Sequence, residues 1–173
     1  MSSLWEVIQT CVNHRKVFPL FIMKTKTVYR ISIDYQKSLD EMVGNGKYQW
    51  VSNKISAQNF PIQGKGKVHV DLILVHFNRD FKKSDDIILE LDRMDLQPAR
   101  IEHAAAFGEQ YPNIQCDFPI LFFGSVWTDP EGYRLVPYLG RADSRRFSLR
   151  FWTEGWDYSC RFAAVHKAPP SSN

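Results

Sequence analysis

The feature that most constrains the fold is one segment, 68–77, which is apolar on both sides of an extended chain. Side chains alternate along a strand, so one face carries its even-numbered apolar residues, Val68, Val70, Leu72 and Leu74. Ile73 and Val75 make the other face apolar as well. A strand with two apolar faces has to be covered on both sides. The segment therefore predicts a central strand with other elements packed above and below it.

The residues before this strand predict a second strand and a short helix. Apolar and polar residues alternate over 27–34, which is the pattern of a half-buried strand. Ser38 is followed three residues later by Glu41, which is the spacing of a capping box at a helix start. Gly44 and Gly46 end the short apolar pattern that follows.

Two further helices are predicted after the central strand. Ser84 precedes two acidic residues, which favours a helix over 84–94 with Ser84 as its cap. Pro98 suits the first position of a helix over 98–107, which we expect to end at Gly108. Both helices carry an apolar stripe that needs a partner, and we expect them to cover one face of the sheet.

The C-terminal half predicts consecutive strands separated by turn residues. The predicted strands are 120–126, 134–139, 146–152 and 161–166. Near-regular turn signals favour an antiparallel meander. The sequence as a whole therefore predicts an α+β fold, with a mainly antiparallel sheet and two or three short helices. We expect most of the 24 aromatic residues to pack in its core; an aromatic-lined ligand cleft is the alternative.

The length of 173 residues predicts one domain. We assign it to 23–167, after an N-terminal extension, 1–22, that we expect to be dispensable, and before a loose tail, 168–173. Met23 is an alternative start, because the strand pattern begins just after it. The apolar run near the N-terminus is too short to cross a bilayer and lacks a signal-peptide cleavage site. We therefore expect a cytoplasmic protein without a membrane partner.

Three cysteines at wide, irregular spacing do not predict a disulfide framework: Cys11, Cys116 and Cys160. We expect reduced thiols, and a bridge between Cys116 and Cys160 stays open as an alternative. The five histidines lack the spacing of metal ligands. Gly64 and Gly66 with their neighbouring lysines do not match the sequence pattern of a phosphate loop. We therefore expect neither a cofactor nor a metal.

One basic cluster is the candidate binding surface, together with two nearby tryptophans. It comprises Arg141, Arg145, Arg146, Arg150, Trp152 and Trp156. Arginines often protect the exposed edge of a sheet, which is the interpretation we favour. The net charge of +3 is only mildly basic, so nucleic-acid binding is an alternative that requires all four arginines on one face with a tryptophan.

Function is less constrained than fold. We expect a non-enzymatic binding or regulatory module that contacts a protein or a small ligand. The alternative is an enzyme with an unfamiliar site, whose candidate residues are Asp71, His76, Asp80, His103 and Glu109. Because a carboxylate within a central strand needs a partner, we expect an arginine to pair with Asp71.

Several stretches resemble a group of small uncharacterised bacterial proteins that is frequent in candidate-phyla-type genomes. The longest is LQPARIEHAAAFGEQYPNIQCDFPILFFGSVW at 96–127, with SLDEMVGNGKYQWV, VHFNRD, VPYL and RFAAV around it. The resemblance covers about 28–167 and implies no activity or site residue.

The order of elements is also similar to bacterial C-type-lectin-like domains. A helix after a proline-containing turn at 96–99 is followed by a Gly-Ser-x-Trp strand and by a closing strand at 161–165. The usual cysteine pairing and calcium ligands of those domains are not recognisable in the sequence. The likeness implies a ligand- or protein-binding module, although a fold alone does not establish a function.

Overall fold

The structure is a computed structural model, and it describes residues 24–168. The predictions about the 1–22 extension, the start at Met23, Cys11 and the tail beyond residue 168 lie outside the described residues. Three helices are described: α1 (Leu39–Asn45), α2 (Ser84–Asp92) and α3 (Ile101–Gln110). The strands are β1 (Thr25–Asp34), β2 (Trp50–Val51), β3 (Lys67–His76), β4 (Leu96–Pro98), β5 (Ile120–Leu121), β6 (Trp127–Thr128), β7 (Arg134–Arg141), β8 (Arg145–Phe151) and β9 (Arg161–His166).

All nine described strands form one sheet, in the order β1-β3-β9-β5-β7-β8-β2. β4 pairs with β9, and β6 pairs with β7. Most pairs are antiparallel; β9 with β5 and β8 with β2 are parallel. The predicted α+β class and mainly antiparallel sheet are therefore confirmed. The predicted meander is wrong for its last strand, because β9 enters the sheet between β3 and β5 instead of following β8.

The two apolar faces of β3 pack into two separate cores, which confirms that this strand is covered on both sides. Leu72 and Leu74 face the core under α1 and α3, which we name the α1/α3 side. Ile73 and Val75 face the core under α2, which we name the α2 side. β3 lies inside the sheet but not at its middle, since it is flanked by the edge strand β1 and by β9.

The helices at 84–94 and 98–107 do not share a face, contrary to expectation. Ile87 and Leu91 of α2 pack with the aromatic core that contains Phe162 and Trp156. α3 packs on the opposite side, where its alanines approach the sheet closely. β3 and β9 carry apolar side chains on both faces, so both faces have to be buried. One helix on each side of the sheet buries both faces, whereas two helices on one side would leave the other face exposed.

The helix starts differ in how far the sequence predicted them. At α1 the capping box is present: Glu41 N–H donates to Ser38 Oγ at 3.2 Å, and Ser38 N–H donates to the Glu41 carboxylate at 2.7 Å. At α2 the cap is Lys83, and Ser84 makes no capping bond. Pro98 ends β4 instead of starting α3, which begins at Ile101. Within residues 24–168, no helix has the length and apolar character that crossing a bilayer requires.

Gly108 lies in the last turn of α3, which continues to Gln110, and it has a packing role. A Cβ at Gly108 would lie 1.7 Å from the hydroxyl of Tyr48, and a Cβ at Gly46 would lie 2.3 Å from the same ring. The two glycines therefore make the space that lets Tyr48 pack between α1 and α3.

The two described cysteines, Cys116 and Cys160, are free thiols, so they do not bridge. Burial, with a contribution from Asp157, raises the pKa of Cys160 to about 11. The thiol therefore stays protonated at neutral pH.

We expect Leu72→Ala to lower the free energy of unfolding by about 2–5 kcal/mol, because Leu72 is fully buried and the change opens a cavity. Denaturant titration measures the loss. Val28→Ala on the edge strand β1 is the control: Val28 is 58% exposed and the change should cost less than about 1 kcal/mol. A Leu72→Ala loss as small as the control's would remove β3 from the core.

Candidate binding face

The six residues of the predicted binding surface do not form one surface. In the antiparallel pair β7 and β8, Arg141 is opposite Arg145, in the row that continues into the α1/α3 core at Phe147. Arg146 and Arg150 alternate with this row and lie on the α2 side. The single continuous arginine face that the nucleic-acid alternative required is therefore divided between the two sides of the sheet.

Arg145 is held by backbone carbonyls and has a structural role. Its Nη1 donates to Gly46 O at 2.9 Å, and its Nη2 donates to Gly108 O at 2.8 Å and to Gln115 Oε1 at 3.2 Å. Gly46 caps the end of α1 and Gly108 lies in the last turn of α3, where carbonyls lack intrahelical partners and favour a cation. The guanidinium also lies 4.9 Å above the ring of Tyr48. Arg145 thus joins two helix ends to the sheet.

Gln115 is a second structural residue of this region, and the sequence did not reveal it. Its Nε2 donates to Gly140 O at 2.8 Å and to Arg146 O at 3.0 Å, and its side chain is 1% exposed. One amide therefore bonds to both strands of the β7–β8 hairpin and fixes the backbone from which Arg146 projects.

On the α2 side, three guanidiniums lie next to three aromatic rings. Arg146 is 5.7 Å from the ring centre of Trp50, Arg150 is 5.6 Å from that of Tyr138, and Arg134 is 4.0 Å from that of Trp152. We name this surface the arginine–aromatic face; it comprises Trp50, Arg134, Tyr138, Arg146, Arg150 and Trp152. Cation–π contacts of this kind contribute about 0.5–1 kcal/mol each at exposed positions.

The face leaves positive charge without an acidic partner. Arg150 is paired with Glu154 at 2.5 Å. No carboxylate of residues 24–168 lies within ion-pair distance of Arg134 or Arg146. The guanidiniums of Arg134 and Arg146, at the two ends of the face, are therefore available to pair with an anion.

Trp156 belongs beneath the face and not on it, since it is 2% exposed. Its indole N–H donates to Ser84 Oγ at 2.9 Å, and the Ser84 hydroxyl donates to Trp152 O at 2.5 Å. Phe123 contacts both tryptophans edge-on, at 5.3 Å between ring centres. Ser84, which the sequence assigned to helix capping, thus connects α2 to the segment that carries Trp152.

Trp50, Tyr138 and Arg134 were missed as members of the site. Trp50 comes next to Arg146 through the parallel pairing of β2 with β8, across nearly one hundred residues of sequence. Alternation of side chains along β7 and β8 indicates that Arg134 and Tyr138 lie on the same face as Arg146 and Arg150, once the register of the two strands is known.

The candidate catalytic residues are dispersed over the molecule. Asp71 accepts from Arg30 at 2.8 Å, which confirms the predicted arginine partner. His76 Nε2 lies 2.8 Å from Tyr158 O, and Asp80 accepts the Tyr158 N–H at 2.8 Å, so both fix one loop.

Glu109 lines a small groove of about 190 Å³ beside β1. His103 and Asp71 line a separate cavity of about 370 Å³ between β3 and the end of β9, together with His69 and His166. Within residues 24–168, no group of three or more histidine, cysteine or acidic side chains is arranged to hold a metal ion.

His103 and Glu102 are the two buried ionisable residues at the start of α3. Arg100 N–H donates to His103 Nδ1 at 3.1 Å, so His103 caps the helix in its neutral form. Burial, together with the charge of Arg100, lowers the pKa of His103 to about 4. Glu102 is 1% exposed with Arg100 Nε 3.2 Å from its carboxylate, and burial raises its pKa. Glu102 was missed because an acidic residue in a first helical turn is ordinarily at the surface.

Comparison of the chain with known protein families, with curated proteins and with solved structures found no match. The two resemblances noted in the sequence therefore stay predictions.

We expect His103 to make the protein less stable as the pH falls. The unfolded imidazole takes up a proton below about pH 6.5, whereas the buried one does so only near pH 4. The unfolded state therefore binds more protons in this window, and acid favours it. Between pH 7 and about pH 4.5 the loss from this residue should be roughly 2–3 kcal/mol.

His103→Gln is the comparison, because the glutamine oxygen can accept the Arg100 N–H but does not titrate. Urea titrations at both pH values should show a smaller acid-induced loss in this variant. The raised pKa of Glu102 acts in the opposite direction in both proteins, so it cancels in the comparison. Equal losses in the two proteins would show that His103 is not buried neutral.

Proposed function

We propose that the protein is a non-enzymatic binding module whose arginine–aromatic face receives an anionic partner. The observation that carries the proposal is the arrangement of Arg134, Arg146 and Arg150 beside exposed or half-buried rings on one side of the sheet, with Arg134 and Arg146 lacking carboxylate partners among the described residues.

The composition of the face is that of binding hot spots. Tryptophan, tyrosine and arginine dominate such sites because they combine a large contact area with directional hydrogen bonds. Trp50 is 45% exposed, which is unusual for so large an apolar ring. An occupant would bury this ring while pairing with the guanidiniums.

The face is also preorganised. A guanidinium that lies against a ring has already lost part of its rotational freedom, so less entropy is lost when it binds. The hydrogen bonds of Ser84 and Gln115 hold the backbone on which Trp152 and Arg146 are carried.

An enzyme is supported less well. Asp71, His76 and Asp80 have structural contacts of their own, and the five candidate catalytic residues do not meet around one cavity. The lowered pKa of His103 accompanies a helix cap.

We expect the double variant Arg134→Ala/Arg146→Ala to bind a polyanion roughly tenfold more weakly, which corresponds to about 1.4 kcal/mol. Fluorescently labelled dextran sulfate is a suitable probe, with its affinity measured by fluorescence anisotropy at low salt. Arg134 is exposed and Arg146 is half-buried, and neither pairs with a carboxylate among the described residues, so the variant should melt within a few degrees of the wild type.

Arg30→Ala/Arg93→Ala is the matched control, because it removes the same charge from surface arginines elsewhere. It should retain most of the affinity. If both double variants lose affinity equally, binding follows net charge alone and the face is not the site.

A further inference from the structure

We propose that the anionic partner of the arginine–aromatic face is single-stranded nucleic acid, an inference that rests on the proposed function. Single strands are bound by positive charge along the backbone and by aromatic rings on which successive bases stack. Both components are present on one side of this sheet.

The rings and guanidiniums form a continuous strip across β2, β8 and β7. Trp50 is in register with Arg146, and Arg146 is in register with Gly140. The ring of Tyr138 lies over Gly140, where an added Cβ would come within 2.7 Å of it. Neighbouring strands are about 4.8 Å apart, so the strip from Trp50 through Arg146 to Tyr138 is on the order of 10 Å wide.

The strip continues along the strands to a second stacking position. Arg134 is four residues before Tyr138 on β7, which is about 13 Å along a strand. Its guanidinium stacks on Trp152 at 4.0 Å. Bases stack on arginine planes as well as on rings, so this pair offers a platform with a charge beside it.

The exposed ring of Trp50 offers a base a stacking surface beside Arg146. Arg146 and Arg150 are 5.7 and 5.6 Å from the ring centres of Trp50 and Tyr138, and Trp50 is 45% exposed. A base can therefore stack on the exposed part of the Trp50 ring while Arg146, which has no carboxylate partner among the described residues, binds a phosphate.

A single strand fits this face better than a duplex or an acidic protein segment. The bases of a duplex are paired and stacked internally, and its grooves are read by a projecting helix or ribbon. The arginine–aromatic face is part of a sheet and projects no such element into a groove. An acidic peptide would pair with Arg134 and Arg146 but would leave the exposed ring of Trp50 without a flat partner.

The test compares four labelled probes on the full chain by fluorescence anisotropy: a twelve-nucleotide oligo-dT, a duplex of the same length, polyglutamate and dextran sulfate. We expect the oligonucleotide to bind most tightly. Its affinity should fall with rising salt, with a slope near −0.7 for each phosphate that is neutralised on a single strand.

Trp50→Leu separates stacking from charge. It should weaken oligo-dT binding roughly tenfold, since stacking of one base contributes an effect of this size, and it should weaken dextran sulfate binding clearly less, because that probe carries no base to stack on the ring. Arg146→Ala should weaken both and make the salt slope about 0.7 shallower. Tyr158→Leu is the control, because Tyr158 is also an exposed aromatic residue, at 62%, but lies outside the face.

The outcomes separate this inference from the proposed function. If oligo-dT and dextran sulfate bind equally and Trp50→Leu weakens neither, the face binds anions without stacking: the proposed function stands and this inference falls. Tighter binding of polyglutamate or of the duplex, with loss in Arg146→Ala, also overturns the inference alone. If the face variants change no binding, both are wrong.

Discussion

The rest of the structure depends on the need to cover β3 and β9 on both faces. Ile73 and Val75 lie on one face of the sheet, and Leu72 and Leu74 lie on the other. Exposure of either face to solvent would therefore be unfavourable. α1 and α3 cover one side, and α2 covers the other with the segment around Trp156. On the α2 side, side chains of β2 and β8 stay half-buried or exposed. The arginine–aromatic face is therefore accessible because α2 and the segment around Trp156 do not extend over β2 and β8.

Strand alternation gives two neighbouring arginines opposite roles. Arg145 and Arg146 are adjacent in the chain, but side chains of successive strand residues point to opposite faces. Arg145 donates to carbonyls at two helix ends, which makes it part of the framework. Arg146 lies on the other side next to Trp50 and has no acidic partner among the described residues. Of two arginines that are adjacent in the sequence, one is thus structural and the other is available for binding.

What the sequence predicted correctly is local. The two apolar faces of β3 follow from the alternation of side chains within that strand. The capping box at Ser38 involves residues within one helical turn. The failures all involve distant partners. Pro98 lacks a backbone N–H, which is compatible both with the start of a helix and with the end of a strand. Its pairing with β9 makes it the end of a strand. The place of Trp50 beside Arg146 and the burial of Glu102 likewise depend on register and packing that no local pattern carries.

The position of β9 has a consequence for how the polypeptide reaches its native state during synthesis. This strand is the last of the described strands to be made, yet it pairs with β3 on one side and with β4 and β5 on the other. Until residue 166 has emerged from the ribosome, the N-terminal and C-terminal parts of the sheet each expose an unpaired apolar edge, which is where nascent chains associate wrongly. Completion of the sheet is therefore necessarily a late event, and a chain that terminates before Arg161 has no strand to join its two halves.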